Sequence, residues 1–243
     1  LQDADQIIVT TNSLGIALSF VKKIGLISSE ILFINMGLFS KKPNFIKLKI
    51  YQYIFKKVTL ITISRIEYKN LKYLFKDIKV KYIPFGVDDK FWFPQPQIKC
   101  KPYILSIGND LARDWEIIES IWDENLPILK IVTSCPIQTS KKNIHIIKGN
   151  WHSQELSDMQ IRDLYRDSEF VILPIKETFQ PSGQSVCLQA MACSKAVIIS
   201  NIKGIWDRKL LKDRENVLLV KTGDKKEMYK AVILLLNNIK LRK

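Results

Sequence analysis

Residues 170–200 contain two apolar runs separated by a polar loop and a helix-like stretch, and this unit constrains the fold most strongly. Phe170–Leu173 and Ala196–Ile199 are short apolar runs typical of strands buried on both faces of a parallel sheet. Apolar residues recur between them at helical spacing: Val186, Cys187, Ala190, Met191 and Cys193. A strand, loop, helix and strand in this order predict a right-handed crossover. Such a crossover places the loop and the helix N-terminus at the sheet edge where open α/β sheets bind ligands.

The predicted start of this helix has the features of an anion site. Ser182 is expected to cap a helix that begins near Gly183. The backbone N–H groups of Gly183, Gln184 and Ser185, together with the helix dipole, would suit a phosphate. Gln189 shares a helix face with Ser185, so sugar hydroxyls are expected nearby. The alternative is an ordinary amphipathic unit with a glycine near its N-cap and no ligand.

The rest of the chain repeats the alternation of strand and helix, which predicts an α/β protein with parallel sheets. Pro94 and Pro96 indicate a boundary, giving domains at 1–94 and 95–243. The remaining strands are predicted at Asp5–Thr11, Ile31–Ile34, Val58–Ser64, Val80–Ile83, Tyr103–Ile107, Leu129–Thr133, Asn143–Ile147 and Val217–Val220.

Two stretches resemble one enzyme family. Gln189–Ile198 (QAMACSKAVI) is similar to the "EAMACGKPVI" helix ending of the GT-B glycosyltransferases, in particular the retaining family 4-like, or group 1, transferases. Pro84–Pro94 (PFGVDDKFWFP) resembles the "PNGVDxxxFxP" connector that ends their N-terminal domain. The resemblance implies two Rossmann-like domains of the GT-B type. By the same comparison the N-terminal domain is truncated, because its first strands and its Gly-rich acceptor-side loop are absent.

The resemblance also implies site residues. Gly108, Asn109, Arg113 and the turn at Gly183 would face the diphosphate, with Asn109 where the family often has Arg. Gln189 stands where the family has a Glu that holds the ribose, and a second family Glu falls on Pro181. Arg113 can also be a surface residue paired with Asp110 or Asp114. The implied donor-binding residues are Gly108, Asn109, Arg113, Ser134, Trp151, Gln180, Ser182, Gly183, Gln184, Ser185 and Gln189. Glu177 and Asn35 are the implied catalytic positions, Asn35 lying where the family often has His.

The resemblance implies a hexosyltransferase-like enzyme. It would move a sugar from a nucleotide-diphosphate sugar to a polysaccharide or glycolipid acceptor, with retention. Arg113 and the backbone amides would replace a metal, so neither a metal nor another cofactor is expected. The two histidines, His145 and His152, have no Cys or acidic neighbours at metal-ligand spacing. The alternative is a nucleotide-binding or scaffold relic that keeps the fold without catalysis.

The charge of the chain indicates an anionic partner. The formal net charge is +14, and the first 90 residues carry 15 Lys and Arg against 7 Asp and Glu. No zinc-finger spacing or RNP-type motif supports nucleic acid. Four cysteines without a C-x-x-C pair fit reduced thiols, and neither a membrane-length apolar run nor a signal-peptide pattern is present. A cytoplasmic location follows.

Ser40–Lys57 (SKKPNFIKLKIYQYIFKK) concentrates this charge, since it contains six lysines and no acid among its apolar residues. A helix from about Pro43 would place Ile46, Ile50, Tyr51 and Ile54 on one face, with lysines at its margins. Such a helix can lie on an anionic membrane, which predicts peripheral association with its cytoplasmic face. A packed domain helix with solvated lysines is equally compatible with the pattern.

Overall fold

The computed structural model describes residues 4–95, 102–149 and 155–242. The chain divides into two compact units, each built on a parallel sheet. The first comprises Leu1–Phe85, Thr178–Pro181 and Lys203–Asp207, and the second comprises Gly86–Glu177, Ser182–Ile202 and Arg208–Lys243. The first unit is therefore discontinuous along the sequence.

The first unit is a four-stranded parallel sheet in the order β1-β2-β3-β4. Its core is rich in aromatic side chains, and the ring of Phe55 contacts both Phe33 and Phe75 at centroid distances of 5.9 Å. The elements are β1 (Gln6–Val9), α1 (Asn12–Lys23), β2 (Glu30–Asn35), α2 (Phe45–Ile54), a 3₁₀ turn (Phe55–Lys57), β3 (Thr59–Thr62), α3 (Arg65–Leu74) and β4 (Lys79–Tyr82).

Helix α2 buries a different face from the one expected. Tyr51 and Ile54 pack against the core of the first unit. Ile46 and Ile50 do not share that face, because 69% and 52% of their surfaces are exposed. The regular spacing suggested a single apolar stripe, but α2 is apolar on more than one side and only the side toward Phe55 meets the core.

The second unit is a six-stranded parallel sheet in the order β10-β9-β8-β5-β6-β7. Strands β8 and β9 pair in parallel, with Ile172 opposite Ile198, as the crossover in residues 170–200 predicts. The predicted α/β class with parallel sheets is thus confirmed. The elements are β5 (Tyr103–Ile107), α4 (Trp115–Ile121), β6 (Ile128–Thr133), β7 (Ile144–Lys148), α5 (Asp158–Asp167), β8 (Val171–Leu173), α6 (Gln184–Ala192), β9 (Val197–Ser200), β10 (Leu218–Val220), α7 (Lys225–Asn237) and α8 (Ile239–Arg242).

The helix starts in the second unit differ in how they are capped. The side chains of Asp114, Ser157 and Asp224 each accept a backbone N–H at the start of α4, α5 and α7. Helix α6 instead has Gly183 as its N-cap residue, which has a left-handed φ of 78° and provides no capping side chain. Within the described ranges, no helix has the length and apolarity needed to cross a membrane.

Candidate functional site

The start of helix α6 lies at the carboxyl end of β8, where the sequence predicts an anion site. The first hydrogen bond within the helix runs from the N–H of Cys187 to the carbonyl of Gly183 at 2.9 Å. The preceding amides of Ser185 and Val186 therefore leave the helix start open to an outside acceptor. The expectation that Ser182 caps this helix is wrong. Its hydroxyl donates to Oδ1 of Asp110 at 3.2 Å, because the left-handed Gly183 turns the chain between Ser182 and the helix.

Arg113 lies beside this helix start and is buried, with 5% of its surface exposed. Its guanidinium packs on two glycines: a β-carbon at Gly108 would fall 1.9 Å from Nε, and one at Gly183 would fall 3.3 Å from Nη1. Nε and Nη1 have no hydrogen-bond partner among the described residues. Because a buried donor without an acceptor is costly, this geometry favours an added anion.

The charge of Arg113 is only partly balanced by the protein. Oδ2 of Asp110, whose side chain is 43% exposed, lies 3.5 Å from Nε of Arg113. Burial lowers the pKa of the Arg113 guanidinium, and the Asp110 carboxylate opposes this shift. The guanidinium nevertheless stays protonated, because arginine is not deprotonated in proteins. The site therefore presents a buried cation together with the amides of a helix start.

A cavity of about 470 Å³ opens beside this anion site in the second unit. Its apolar wall is formed by Trp92, Ile107, Val132, Leu156, Ile161 and Val186. Gln189, on α6, and Asp158, on α5, line both this cavity and a second one of about 410 Å³. A mostly apolar hollow with few polar side chains is typical of small-ligand sites.

The side chain of Asn109 links its own loop to the loops at Ser134 and Gly149. Oδ1 of Asn109 accepts from the backbone N–H of Ser134 at 2.6 Å, and Nδ2 donates to the carbonyl of Gly149 at 2.8 Å. Both ends of the Asn109 amide are therefore engaged by the protein. Trp151, which the sequence analysis placed near the same loop, lies outside the described residues.

Gln189 is oriented by two aromatic residues. The hydroxyl of Tyr165 donates to Oε1 of Gln189 at 3.1 Å, and Trp92 meets the Tyr165 ring edge-on at 5.6 Å. Burial strongly raises the pKa of Tyr165, so its hydroxyl keeps its proton and remains a donor. Gln189 consequently directs its carbonyl oxygen to Tyr165.

Three further residues expected from sequence are divided between the two units. Asn35 is fully buried in the first unit, where its Nδ2 donates to the carbonyl of Ile61 at 3.1 Å. Gln180 also belongs to the first unit, and its Nε2 donates to the carbonyl of Gly37 at 2.6 Å. Glu177 is exposed at the end of a second-unit segment. Their functional roles stay predictions.

The sequence analysis missed Trp92, Asp158 and Tyr165 as site residues. Two local signals mark their elements: the Ser157-x-x-Gln160 capping box places Asp158 in the first turn of a helix, and Trp92 lies in the connector after Asp88. No local signal marks Tyr165, whose role depends on packing against distant residues. Across the described parts of the chain, no group of three or more His, Cys, Asp or Glu side chains is arranged to hold a metal.

Comparisons with known proteins show which fold this chain shares. Residues 129–238 match the family model described as glycosyl transferases group 1. Sucrose-phosphate synthase from Thermosynechococcus elongatus has a similar structure, with a TM-score of 0.77 at 17% identity over 98% of this chain and 66% of that one. A glycosyltransferase from Rickettsia africae gives a TM-score of 0.68 at 16% identity, over 95% and 66% of the two chains. HepE from Anabaena, solved with UDP-glucose, gives 0.73 at 12% identity, over 98% and 70%.

The chain thus spans 66% of the length of the first two of these structures. No curated protein sequence matches it. In residues 129–238 the chain resembles the group 1 glycosyl transferases, and its fold is the GT-B type found in solved glycosyltransferases.

Proposed function

We propose that the protein transfers a sugar from a nucleotide-diphosphate sugar to a glycan or glycolipid acceptor. One observation carries the proposal: the buried Arg113, with two nitrogens that no described residue satisfies, faces the open start of α6 beside a cavity of about 470 Å³. A diphosphate fits the first feature and a nucleoside the second. Support also comes from similar structures solved with UDP and with UDP-glucose.

The chemistry would break the bond between the anomeric carbon of the sugar and the diphosphate oxygen. That oxygen leaves with the electron pair, and Arg113 together with the amides of Ser185 and Val186 stabilises its charge. Because a guanidinium supplies the positive charge, the proposed reaction needs no metal ion. The acceptor hydroxyl attacks the same carbon, and the departing diphosphate takes its proton. Retention is proposed on the strength of the sequence resemblance.

The other sequence-predicted roles remain part of the proposal. Gln189 is assigned to the ribose, the backbone near Ser134 to the base, and either Glu177 or Gln180 to the donor sugar. The domain limits 1–94 and 95–243 are likewise proposed. They follow the connector rather than the division of the compact units after Phe85.

The acceptor side of the proposal depends on helix α2 and the lysines around it. Phe45 and Tyr53 expose 72% and 55% of their surfaces, and Ile46 and Ile50 are also exposed. Six exposed lysines flank them: Lys41, Lys42, Lys47, Lys49, Lys56 and Lys57. We call these six residues the α2 lysine surface. No acid occurs from residue 31 to residue 66.

Exposed apolar side chains among lysines fit an anionic lipid surface. The apolar groups can enter the headgroup region while each lysine adds up to about 1 kcal/mol. The proposed acceptor is therefore a glycolipid or a membrane-linked glycan, and the proposed location is the cytoplasmic membrane face. A protein could bind this surface only through an acidic face of its own, whereas an anionic membrane needs no matching shape.

Release of UDP or GDP from a panel of sugar nucleotides tests the transfer. With a glycolipid acceptor present, we expect release from at least one donor, and none when the donor is omitted. Measuring the same release with Mg²⁺ and with a chelator tests metal independence. If no donor gives release although the protein binds UDP, the proposed transferase activity is wrong and the proposed nucleotide site is retained.

That outcome would favour the second candidate, a nucleotide-binding protein without turnover. The observation behind this candidate is Asn35, which is buried in the first unit with its amide bonded to Ile61. A group in that position is poorly placed to act on a substrate. Calorimetric binding of UDP without turnover of any donor distinguishes this candidate from the enzyme.

A further inference from the structure

The sheet of the first unit has two edge strands that differ in sequence. Strands β1 and β4 lie at its opposite edges. Lys79 and Lys81 are exposed at alternate positions of β4. Lysines on an edge strand discourage pairing with another chain, because pairing would desolvate their charges or bring them together. Strand β1 (QIIV) carries no charge, so its edge lacks this protection.

The outward backbone groups of β1 are those of Gln6 and Ile8. The carbonyl of Asp5 accepts from the N–H of Glu30 in the neighbouring strand β2. In a parallel ladder alternate residues bond to the same neighbour, so every second residue after Asp5 also directs its N–H and C=O groups to β2. The groups of Gln6 and Ile8 therefore point away from the sheet. Within the described residues no strand pairs with β1 on that side.

Helix α1 packs on this sheet through small residues. A β-carbon at Gly15 would fall 2.3 Å from the ring of Phe33, and Ser19, one turn later, is fully buried. Larger apolar side chains point elsewhere, since 53% of the Leu14 surface is exposed and Val21 is only half-buried. A surface helix usually turns such side chains toward a packed neighbour. This side of α1 therefore has the character of an interface.

The side of α1 that carries Leu14 and Val21 faces the β1 edge. Nζ of Lys23 lies 4.6 Å from the ring centre of Tyr53 on α2. Because a helix turns by about 100° for each residue, Leu14 and Val21 lie on the opposite side of α1 from Lys23. Helix α2 belongs to the crossover from β2 to β3, so the side away from α2 is the side of β1. We call the following residues the β1 edge surface: Gln6, Ile8, Leu14, Ala17 and Val21.

The β1 edge surface is uncharged in a strongly basic protein. No charged residue occurs from residue 6 to residue 21, although 26% of the chain is charged. Two copies that each carry a formal net charge of +14 repel one another where their lysines meet. At the β1 edge surface they can approach without contact between like charges. The charge pattern therefore favours a second copy as the occupant.

We propose that the β1 edge surface is an interface with a second copy of this chain. In this dimer the two β1 strands pair antiparallel about a two-fold axis at Ile7. Gln6 of one copy then lies opposite Ile8 of the other, and each such pair exchanges its outward N–H and C=O groups in hydrogen bonds. The same symmetry brings the β1 sides of the two α1 helices toward each other. The inference goes beyond the proposed sugar transfer and does not depend on it.

Sedimentation equilibrium of the protein from about 1 to about 200 µM measures the association. We expect a dissociation constant of about 10 µM, because one strand edge and one helix face form an interface at the small end of the specific range. Leu14→Lys should weaken association at least about tenfold by placing a charge in the interface. Ile46→Lys is the matched control, since it adds the same charge at a position of α2 that is 69% exposed.

Ile8→Pro tests the strand pairing itself. It removes an outward N–H that β2 does not use, so the ladder between β1 and β2 is retained while association weakens at least about tenfold. Hydrogen exchange gives a second measurement. The amides of Gln6 and Ile8 should exchange about fivefold more slowly at 200 µM than at 1 µM, in proportion to the fraction of monomer. Circular dichroism checks the fold of each variant, and Leu14→Lys decides the result if Ile8→Pro does not fold.

Three results would overturn the inference. If the unchanged protein is monomeric at the highest concentration, the surface is not an interface between copies and belongs to a different partner. If Leu14→Lys associates as strongly as Ile46→Lys, another surface holds the copies together. If the protein associates but the amides of Gln6 and Ile8 exchange equally fast at both concentrations, the β1 strands do not pair.

Discussion

Arg113 and the α2 lysine surface are two cationic regions that present their charge in opposite ways. Arg113 is a single guanidinium, 5% exposed and fixed against Gly108 and Gly183 in the second unit. The α2 lysine surface consists of six exposed, long side chains in the first unit. Burial strengthens the interaction of one charge with one ligand, whereas exposure spreads weak and salt-screened attraction over a broad surface. The first suits a small anion, and the second suits an extended one.

The largest expected effect concerns Arg113. Arg113→Met removes the buried charge and should weaken UDP binding about 1,000-fold, in line with the loss of a buried charged partner. Arg113→Lys should recover only part of this loss, because an ammonium lacks the planar fork of donors. Arg214→Met is the control, since the Arg214 side chain is 75% exposed. Calorimetry with UDP gives the result, and unchanged affinity in Arg113→Met would remove the anion site.

The second largest effect concerns the α2 lysine surface. Changing Lys41, Lys42, Lys47 and Lys49 to Glu should lower binding to phosphatidylglycerol vesicles about 100-fold at low salt, at up to about 1 kcal/mol for each lysine. Binding of the unchanged protein should also weaken as salt shortens the Debye length from about 30 Å to about 8 Å. Co-sedimentation with vesicles measures both, and UDP affinity should not change.

The matched control reverses four exposed lysines of the second unit, Lys225, Lys226, Lys230 and Lys240. If this control loses vesicle binding as completely as the α2 variant, net charge rather than the α2 surface is responsible. If the unchanged protein does not bind vesicles even at low salt, the membrane proposal is wrong.

A third effect concerns a buried acid in the first unit. Burial raises the pKa of Glu67 from 4.5 to about 7, although the backbone N–H groups of Leu38 and Gly37 oppose the shift. The folded state therefore prefers the protonated form. The resulting stability is full below pH 4.5 and is lost as the pH rises through about 7.

Between about pH 5 and about pH 8, Glu67 should lower the free energy of unfolding by roughly 2 kcal/mol. Glu67→Gln should remove this part of the pH dependence and be more stable than the unchanged protein at the higher pH. Urea unfolding at about pH 5 and about pH 8 measures this free energy. Glu30→Gln, at an exposed position, is the control. An identical pH dependence in Glu67→Gln and the unchanged protein contradicts the assignment.

The smallest expected effect sharpens the role of burial at Arg113. A β-carbon at Gly108 would fall 1.9 Å from Nε of Arg113, so Gly108→Ala should displace the guanidinium without removing it. We expect UDP binding to weaken about tenfold. Gly86→Ala is the control, because a β-carbon there meets no atom within 4 Å. Equal affinities in the two variants would show that the position of the guanidinium does not matter.

The elements of the fold could be predicted from sequence because each depends on local pattern. The predicted strand Tyr103–Ile107 has its exact observed bounds, and the parallel pairing of β8 with β9 follows from one crossover. The family resemblance predicted that Arg113 and the turn at Gly183 face one diphosphate, and the two lie together because both follow strands that end at one sheet edge.

Side-chain partners could not be predicted in the same way. Ser182 donates to Asp110 rather than capping α6, because the left-handed Gly183 separates it from the helix. Tyr165 donates a hydrogen bond to Gln189, although 24 residues separate the two along the chain. Such contacts depend on the distance between elements in the folded sheet, which spacing along the chain does not determine.

The discontinuity of the first unit has a consequence for synthesis on the ribosome. The carboxylate of Asp207 is buried and accepts from Nε of Arg65 at 2.8 Å and from the hydroxyl of Tyr82 at 3.3 Å. The backbone N–H of Arg65 also bonds to the carbonyl of Trp206. Domains usually fold from the N-terminus as the chain emerges. Here the first unit cannot complete its hydrogen bonds until residue 207 has left the exit tunnel. Arg65 and Tyr82 therefore lack these hydrogen-bond partners during the time in which most of the second unit is synthesised.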